Sequence, residues 1–258
     1  MLNIFETWLN RSGCCPVSVE INEYVAPSRF PDIISAIVPR RACFEHLYAC
    51  LDEVSCLLFD GEMPLLRHLD LELGIPVPFT LLDVPQLRTV VLDDIAADSV
   101  TLPWGQLTSL TLRVVEPRLC FPILEKTASL VHCVLKLWPD DEPFDHLGSI
   151  SLPCLKSMVL RNLSDDREVT DFKLTTFILP ALLRLEIPEK FLGSNPINFL
   201  ASFISTSGCK LQKMRITGRT TGSSSSEDSY LAAYPLIPSV SFEYEGEPSD
   251  DESDSDSG

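Results

Sequence analysis

One spacing recurs along this chain and constrains its fold more than any other feature. In MPLLRHLDL (63–71), VPQLRTVVL (84–92), LPCLKSMVL (152–160) and LPALLRLEI (179–187), proline is followed two residues later by leucine. Apolar residues then stand three and five positions after that leucine. LPWGQLTSLTL (102–112) fits once Trp104 and Gly105 are read as an insertion between Pro103 and Leu107. Two copies lack the proline: Leu130-Cys133-Leu135 and Leu211-Met214-Ile216. The anchor leucines are therefore 66, 87, 107, 130, 155, 182 and 211, spaced by 21, 20, 23, 25, 27 and 29 residues. The last two apolar positions of each copy are two apart, so both point to one face of a short strand. A single coil cannot bury that face, so the copies must stack on one another.

Leu-x-x-Leu-x-Leu at this period is the pattern of a leucine-rich repeat. The expected fold class is therefore α/β: a leucine-rich-repeat solenoid. A curved parallel sheet would line its concave side, with short helices and irregular connectors on the convex side. Weaker copies extend the array to Phe44-Leu47-Ala49, Pro16-Val19-Ile21 and Ile237-Val240-Phe242. WLNRSGCCPVSVEI (8–21) aligns with FISTSGCKLQKMRI (203–216), and Gly13 and Gly208 read as left-handed caps that end a helix before a strand.

The connectors differ along the chain. Those near residues 73–83 and 93–101 are short, which predicts extended or 3-10 segments. Helices are expected around Pro31–Ile37 and Pro122–Ala128. A third should start at Ser194-Asn195-Pro196, with Ile197, Leu200, Phe203 and Ile204 on one face. Pro103 and Trp104 read as a corner, with Gly105 relieving the turn. The repeat domain should span residues 1–243, interrupted by a flexible polar loop at 218–229 and followed by a disordered acidic tail at 244–258.

Formal net charge is −17, which argues against nucleic-acid and anionic-membrane partners. No apolar run is long enough to span a bilayer, and MLNIFETWLN lacks a basic n-region, so a cytoplasmic or nuclear protein is expected. The nine cysteines (14, 15, 43, 50, 56, 120, 133, 154 and 209) form no CxxC pair and read as reduced core residues rather than metal ligands. No GxSxG, HExxH, P-loop or GxGxxG motif occurs. Asp140-Asp141-Glu142 and Asp165-Asp166 read as solvated connectors, and His68 and His132 as surface residues without a nucleophile. No enzyme, metal or cofactor is expected.

WLNRSGCCPVSVEI, then the Pro-Leu repeat, then LPWGQLTSLTL and a closing SGCKLQKMRI resemble the F-box/leucine-rich-repeat proteins of mushroom-forming fungi. The resemblance covers roughly residues 5–217. It implies a protein–protein interaction scaffold like the substrate-recognition array of a ubiquitin-ligase receptor. In that family an N-terminal F-box docks a Skp-type adaptor. No F-box motif is present here, so adaptor docking is expected only if one lies upstream. The alternative is a stand-alone binding or decoy module without ligase coupling.

Residues between the apolar strand positions would face outward. One column reads Glu72, Asp93, Arg113, Lys136, Arg161; its neighbour reads Asp70, Val91, Thr111, Val134, Val159, Glu186, Arg215. Adjacent cations on parallel strands repel unless they meet an anion. Arg113, Lys136 and Arg161 are therefore candidates to receive an acidic or phosphorylated segment beside Val134 and Val159, with Glu72 and Asp93 on the acidic side. A plain solvated surface, with Asp93 and Arg113 as an exposed pair, is the competing reading. Ser249 and Ser253, each followed by acids, suit acidophilic kinases, and phosphates there would let the tail fold back on the cations; a solubilising tail is the competing reading.

Overall fold

The computed structural model describes residues 13, 15–22, 30–51, 61–138, 148–163, 174–220 and 225–244. The chain runs through β1 (Val17–Asn22), α1 (Phe30–Ile37), a 3-10 stretch (Val38–Cys43), β2 (Phe44–Leu51), β3 (His68–Leu73) and β4 (Phe79–Thr80). Next come β5 (Thr89–Leu92), α2 (Asp94–Ser99), β6 (Val100–Thr101), β7 (Ser109–Val115), α3 (Pro117–Leu124) and β8 (His132–Leu137). The rest comprises β9 (Ile150–Ser151), β10 (Ser157–Asn162), β11 (Phe177–Ile178), β12 (Arg184–Pro188), α4 (Pro196–Ser207), β13 (Lys213–Arg219), α5 (Glu227–Ala233) and β14 (Ser239–Tyr244).

Ten strands form one parallel sheet in the order β1-β2-β3-β5-β7-β8-β10-β12-β13-β14. Each therefore pairs with its nearest main-sheet neighbours in the chain, an order compatible with a solenoid-like α/β coil. The pairs β4–β6 and β9–β11 stack two of the connectors in the same way.

The proline of the repeat has a local explanation. Leu66 N–H donates to the Met63 carbonyl (3.1 Å), Leu87 to Val84 (3.0 Å), Leu155 to Leu152 (3.2 Å) and Leu182 to Leu179 (3.1 Å). Each is a four-residue turn with proline second, where its fixed φ suits the turn and its missing N–H is not needed. Ile237 makes the same bond to Tyr234 (3.1 Å) around Pro235, so the last copy has the full motif.

The turn aims the anchor leucine inward, and all seven anchors are buried. Behind them the register aligns two apolar rows. Leu69, Val90, Leu110, Cys133, Met158, Leu185 and Met214 form one, and Leu71, Leu92, Leu112, Leu135 and Leu160 run along the other. Every one of these side chains is at most 1% exposed.

Some connectors depart from expectation. Residues 94–99 form α2 because Asp93 caps it: the Asp93 carboxylate accepts from Ala96 N–H at 2.8 Å. A good cap supports a helix in a connector that looked too short for one. α3 begins at Pro117, five residues before the predicted start, and carries Pro122 inside. Pro117 occupies the first turn, where proline is favoured. α1 and α4 lie where expected, Asn195 capping α4 and Gly208 (φ 66°) ending it.

The two-residue insertion in the 102–112 repeat is absorbed by a 3-10 turn at Trp104–Gln106 with Trp104 buried; Gly105 has room for a Cβ and ordinary backbone, so it relieves nothing. The 218–229 segment is not all loop. Gly218 and Arg219 end β13, and Ser226 caps α5 through Ser229 N–H (3.2 Å).

Candidate functional site

The sheet has one face packed against the connectors and one open face. On the open face, Asp70, Val91, Thr111, Val134, Val159, Glu186 and Arg215 stand in register across seven strands. That is the column expected from the sequence. Tyr48 extends it on β2 and Ser241 on β14. In the next column Cys50 faces Glu72, and Lys136 faces Arg161.

Two members of that second column are displaced. The β7–β8 register shifts between Leu112 and Val115, a bulge in which Val114 takes φ 55°. Arg113 sits within it. Asp93 leaves the face altogether: one carboxylate oxygen caps α2 and the other accepts from Leu73 N–H at 3.3 Å. Burial pushes its carboxyl up to about 6, overriding the two N–H bonds, with Asp94 and Glu72 adding to the rise.

The ion pairs also differ from the expected arrangement. Arg113 does not pair with Asp93. It reaches over Val91 of β5 to Asp70 of β3, with Nη1 on Oδ1 at 3.1 Å and Nη2 on Oδ2 at 2.7 Å. Asp70 is buried, which favours a planar two-point partner over a lysine. Arg161 approaches Glu186 at 3.5 Å, and Arg215 lies between Glu186 (3.8 Å) and Glu243 (2.8 Å). The repulsion of stacked cations is thus relieved by carboxylates of the next column. Lys136, half-buried beside Val134 and Val159, has no carboxylate partner among the described residues.

On the N-terminal part of the face, His46 and His68 are in register, with ring centroids 5.9 Å apart. Burial lowers the His68 pKa, with His46 and Arg113 helping and Asp70 opposing. Tyr48 is raised, by burial first and then by Glu72. His132 is exposed. Among the described residues no group of three or more His, Cys, Asp or Glu side chains is placed to hold a metal ion. No helix among them is long and apolar enough to cross a membrane.

None of the seven described cysteines is in a disulfide, four of them are buried, and burial pushes Cys133 up to about 12. Tyr244, placed in the tail by the sequence, instead ends β14; Cys14, Cys56, Asp140-Asp141-Glu142, Asp165-Asp166, Ser249, Ser253 and the rest of the tail lie outside the described residues.

Two features escaped the sequence reading. At the C-terminal end, Arg219 is buried and approaches Glu189 at 3.4 Å, with its guanidinium 5.0–5.7 Å from the ring centroids of Tyr230, Phe242 and Tyr244. The Tyr230 hydroxyl donates to the other Glu189 oxygen at 2.9 Å. At the C-terminal ends of the middle strands, α2 and α3 flank a groove bordered by exposed Val114 and Trp138. Neither is visible as a motif, because each joins residues from separate coils. No protein-family model matches this chain, and no curated protein and no solved structure matches it either.

Proposed function

We propose that this protein is a non-catalytic protein–protein interaction scaffold. In this reading it is a leucine-rich-repeat solenoid whose concave sheet face receives an acidic or phosphorylated segment. The observation that carries the reading is the neighbourhood of Lys136. It is the cation of the middle strands left without a described carboxylate, beside the Val91–Thr111–Val134–Val159 strip and between two zones of satisfied ion pairs. An incoming carboxylate or phosphate would meet Lys136 directly, while Arg113 and Arg161 lend positive field from either side. Val134 and Val159 would take the apolar part of the same segment. Glu72, Asp70 and Glu186 set the register by repelling acids placed too far along the face.

By the resemblance to F-box/leucine-rich-repeat proteins, the bound segment would belong to a ubiquitin-ligase substrate. Co-purification with a Skp-type adaptor distinguishes that role from a stand-alone binding or decoy module.

The direct test uses a fluorescein-labelled acidic peptide carrying two phosphoserines, followed by anisotropy. Binding should weaken about tenfold in Lys136→Glu and fall with added salt. Equal affinity for wild type and Lys136→Glu, with both folded, removes the proposal.

A further inference from the structure

The strand ends carry a second surface of opposite character. Between α2 and α3 lie two adjoining cavities of about 670 and 470 Å³ that share Asp98, Arg118 and Leu119. The first has apolar walls from Ile95, Val114 and Trp138. Val114 and Trp138 are 46% and 39% exposed, large values for apolar side chains beside a concavity. The bulge of β7 puts Val114 there, and Trp138 N–H is tied to the Val115 carbonyl at 2.9 Å, so the strand end holds the backbone beneath the indole in place. One strand further, Leu163 N–H bonds Leu137 O at 3.0 Å, and Leu163 is 39% exposed. The apolar surface therefore continues along the C-terminal ends of the middle strands, an elongated shape.

The charge of the groove is one-sided. Arg118 is occupied by Glu116 at 2.5 Å. Asp94 and Asp98, both exposed, have no cationic partner among the described residues. They are four apart on α2, so they share a helix face and repel. Asp98 also stands in the last turn, where a carboxylate opposes the helix dipole. A cation bound between them would relieve both terms.

We propose that this groove docks a protein segment carrying a large apolar side chain flanked by arginine or lysine. The apolar side chain fills the space beside Trp138 and Val114, and the basic neighbours meet Asp94 and Asp98. The surface is separate from the face around Lys136 and selects the opposite charge, so one chain holds an acidic segment on its sheet and a basic one at its strand ends. The inference does not depend on the reading of the open face.

The test uses the full chain and a fluorescein-labelled peptide of two leucines flanked by four arginines, with a second peptide in which the leucines are serine. Anisotropy is read for wild type, Asp94→Asn/Asp98→Asn, Trp138→Ala and the off-groove pair Asp32→Asn/Glu62→Gln, which removes the same charge elsewhere. The groove pair should weaken the leucine peptide about tenfold at low salt, and Trp138→Ala should erase the preference for leucine over serine. The off-groove pair should change affinity less than twofold. Because the edited residues are exposed, folding is checked by circular dichroism. The proposal is overturned if the off-groove pair weakens binding as much as the groove pair, since attraction would then be only to the net charge of −17. It is equally overturned if Trp138→Ala keeps the leucine preference, or if wild type binds neither peptide.

Discussion

Replacing Arg219 with leucine removes the cation of a buried pair and leaves its anion behind. Side-chain exposure is 3% for Arg219 and 10% for Glu189, so neither charge is hydrated. In Arg219→Leu, Glu189 keeps the Tyr230 hydroxyl but has no opposing charge. Breaking a buried pair from one side costs about 3–5 kcal/mol. The contact to Glu227 adds little, because that carboxylate is 43% exposed and returns to water.

Neutralising the anion as well should recover most of the loss. Glu189→Gln still accepts from Tyr230, so Arg219→Leu/Glu189→Gln should lie within about 2 kcal/mol of wild type. The double-mutant cycle then has a coupling of about 2–3 kcal/mol. Urea unfolding followed by circular dichroism reads the total. Hydrogen exchange locates it, since in a stack the deficit should fall on β13 and β14 and spare β3 to β8. If Arg219→Leu lies within 1 kcal/mol of wild type, or the double variant is worse than the single, the buried-charge argument is wrong.

Three further outcomes are expected. Leu110 is fully buried between Val90 and Cys133, so Leu110→Asp should prevent folding, whereas Thr111→Asp on the open face should leave a cooperative thermal melt. Asp93 is raised from the usual carboxylate range to about 6, so the native state holds its proton more tightly than the unfolded chain. Stability should therefore fall as pH rises from about 4 to about 6, by at most about 3 kcal/mol and about half that once partial solvent contact is counted. Asp93→Asn should flatten that slope in urea midpoints measured across the same pH range. Val114→Gly should raise the thermal midpoint, because a non-glycine residue at φ 55° costs about 1–2 kcal/mol and glycine's extra chain entropy returns only about 0.5–1.

Much of the sheet was legible in advance. The anchor leucines and the two apolar positions after each gave strand, face and register together, because a period-two pattern fixes which side chains share a side. The Asp70-to-Arg215 column follows from that alone. Helix starts were legible where a proline or asparagine stood at the first turn, as at Pro196, and misplaced where two prolines competed, as at Pro117 and Pro122. Asp93 looked like a surface acid because its spacing continued the column; its role as a cap depends on α2 forming after it.

The charges were the least legible part. A list of signs down a column does not say that Arg113 will reach across β5 to Asp70 on β3, or that Glu186 will serve both Arg161 and Arg215. Those choices depend on side-chain reach and on a bulge, and both are three-dimensional. By itself the sequence determined the parallel stack and its buried ridge, because burial of a periodic pattern admits few arrangements. Only the tertiary structure decided which charges stay free, because pairing depends on distances between coils. Among the described residues, that left Lys136 without a carboxylate on the open face, and Asp94 and Asp98 without a cation beside Trp138 at the C-terminal ends of the middle strands.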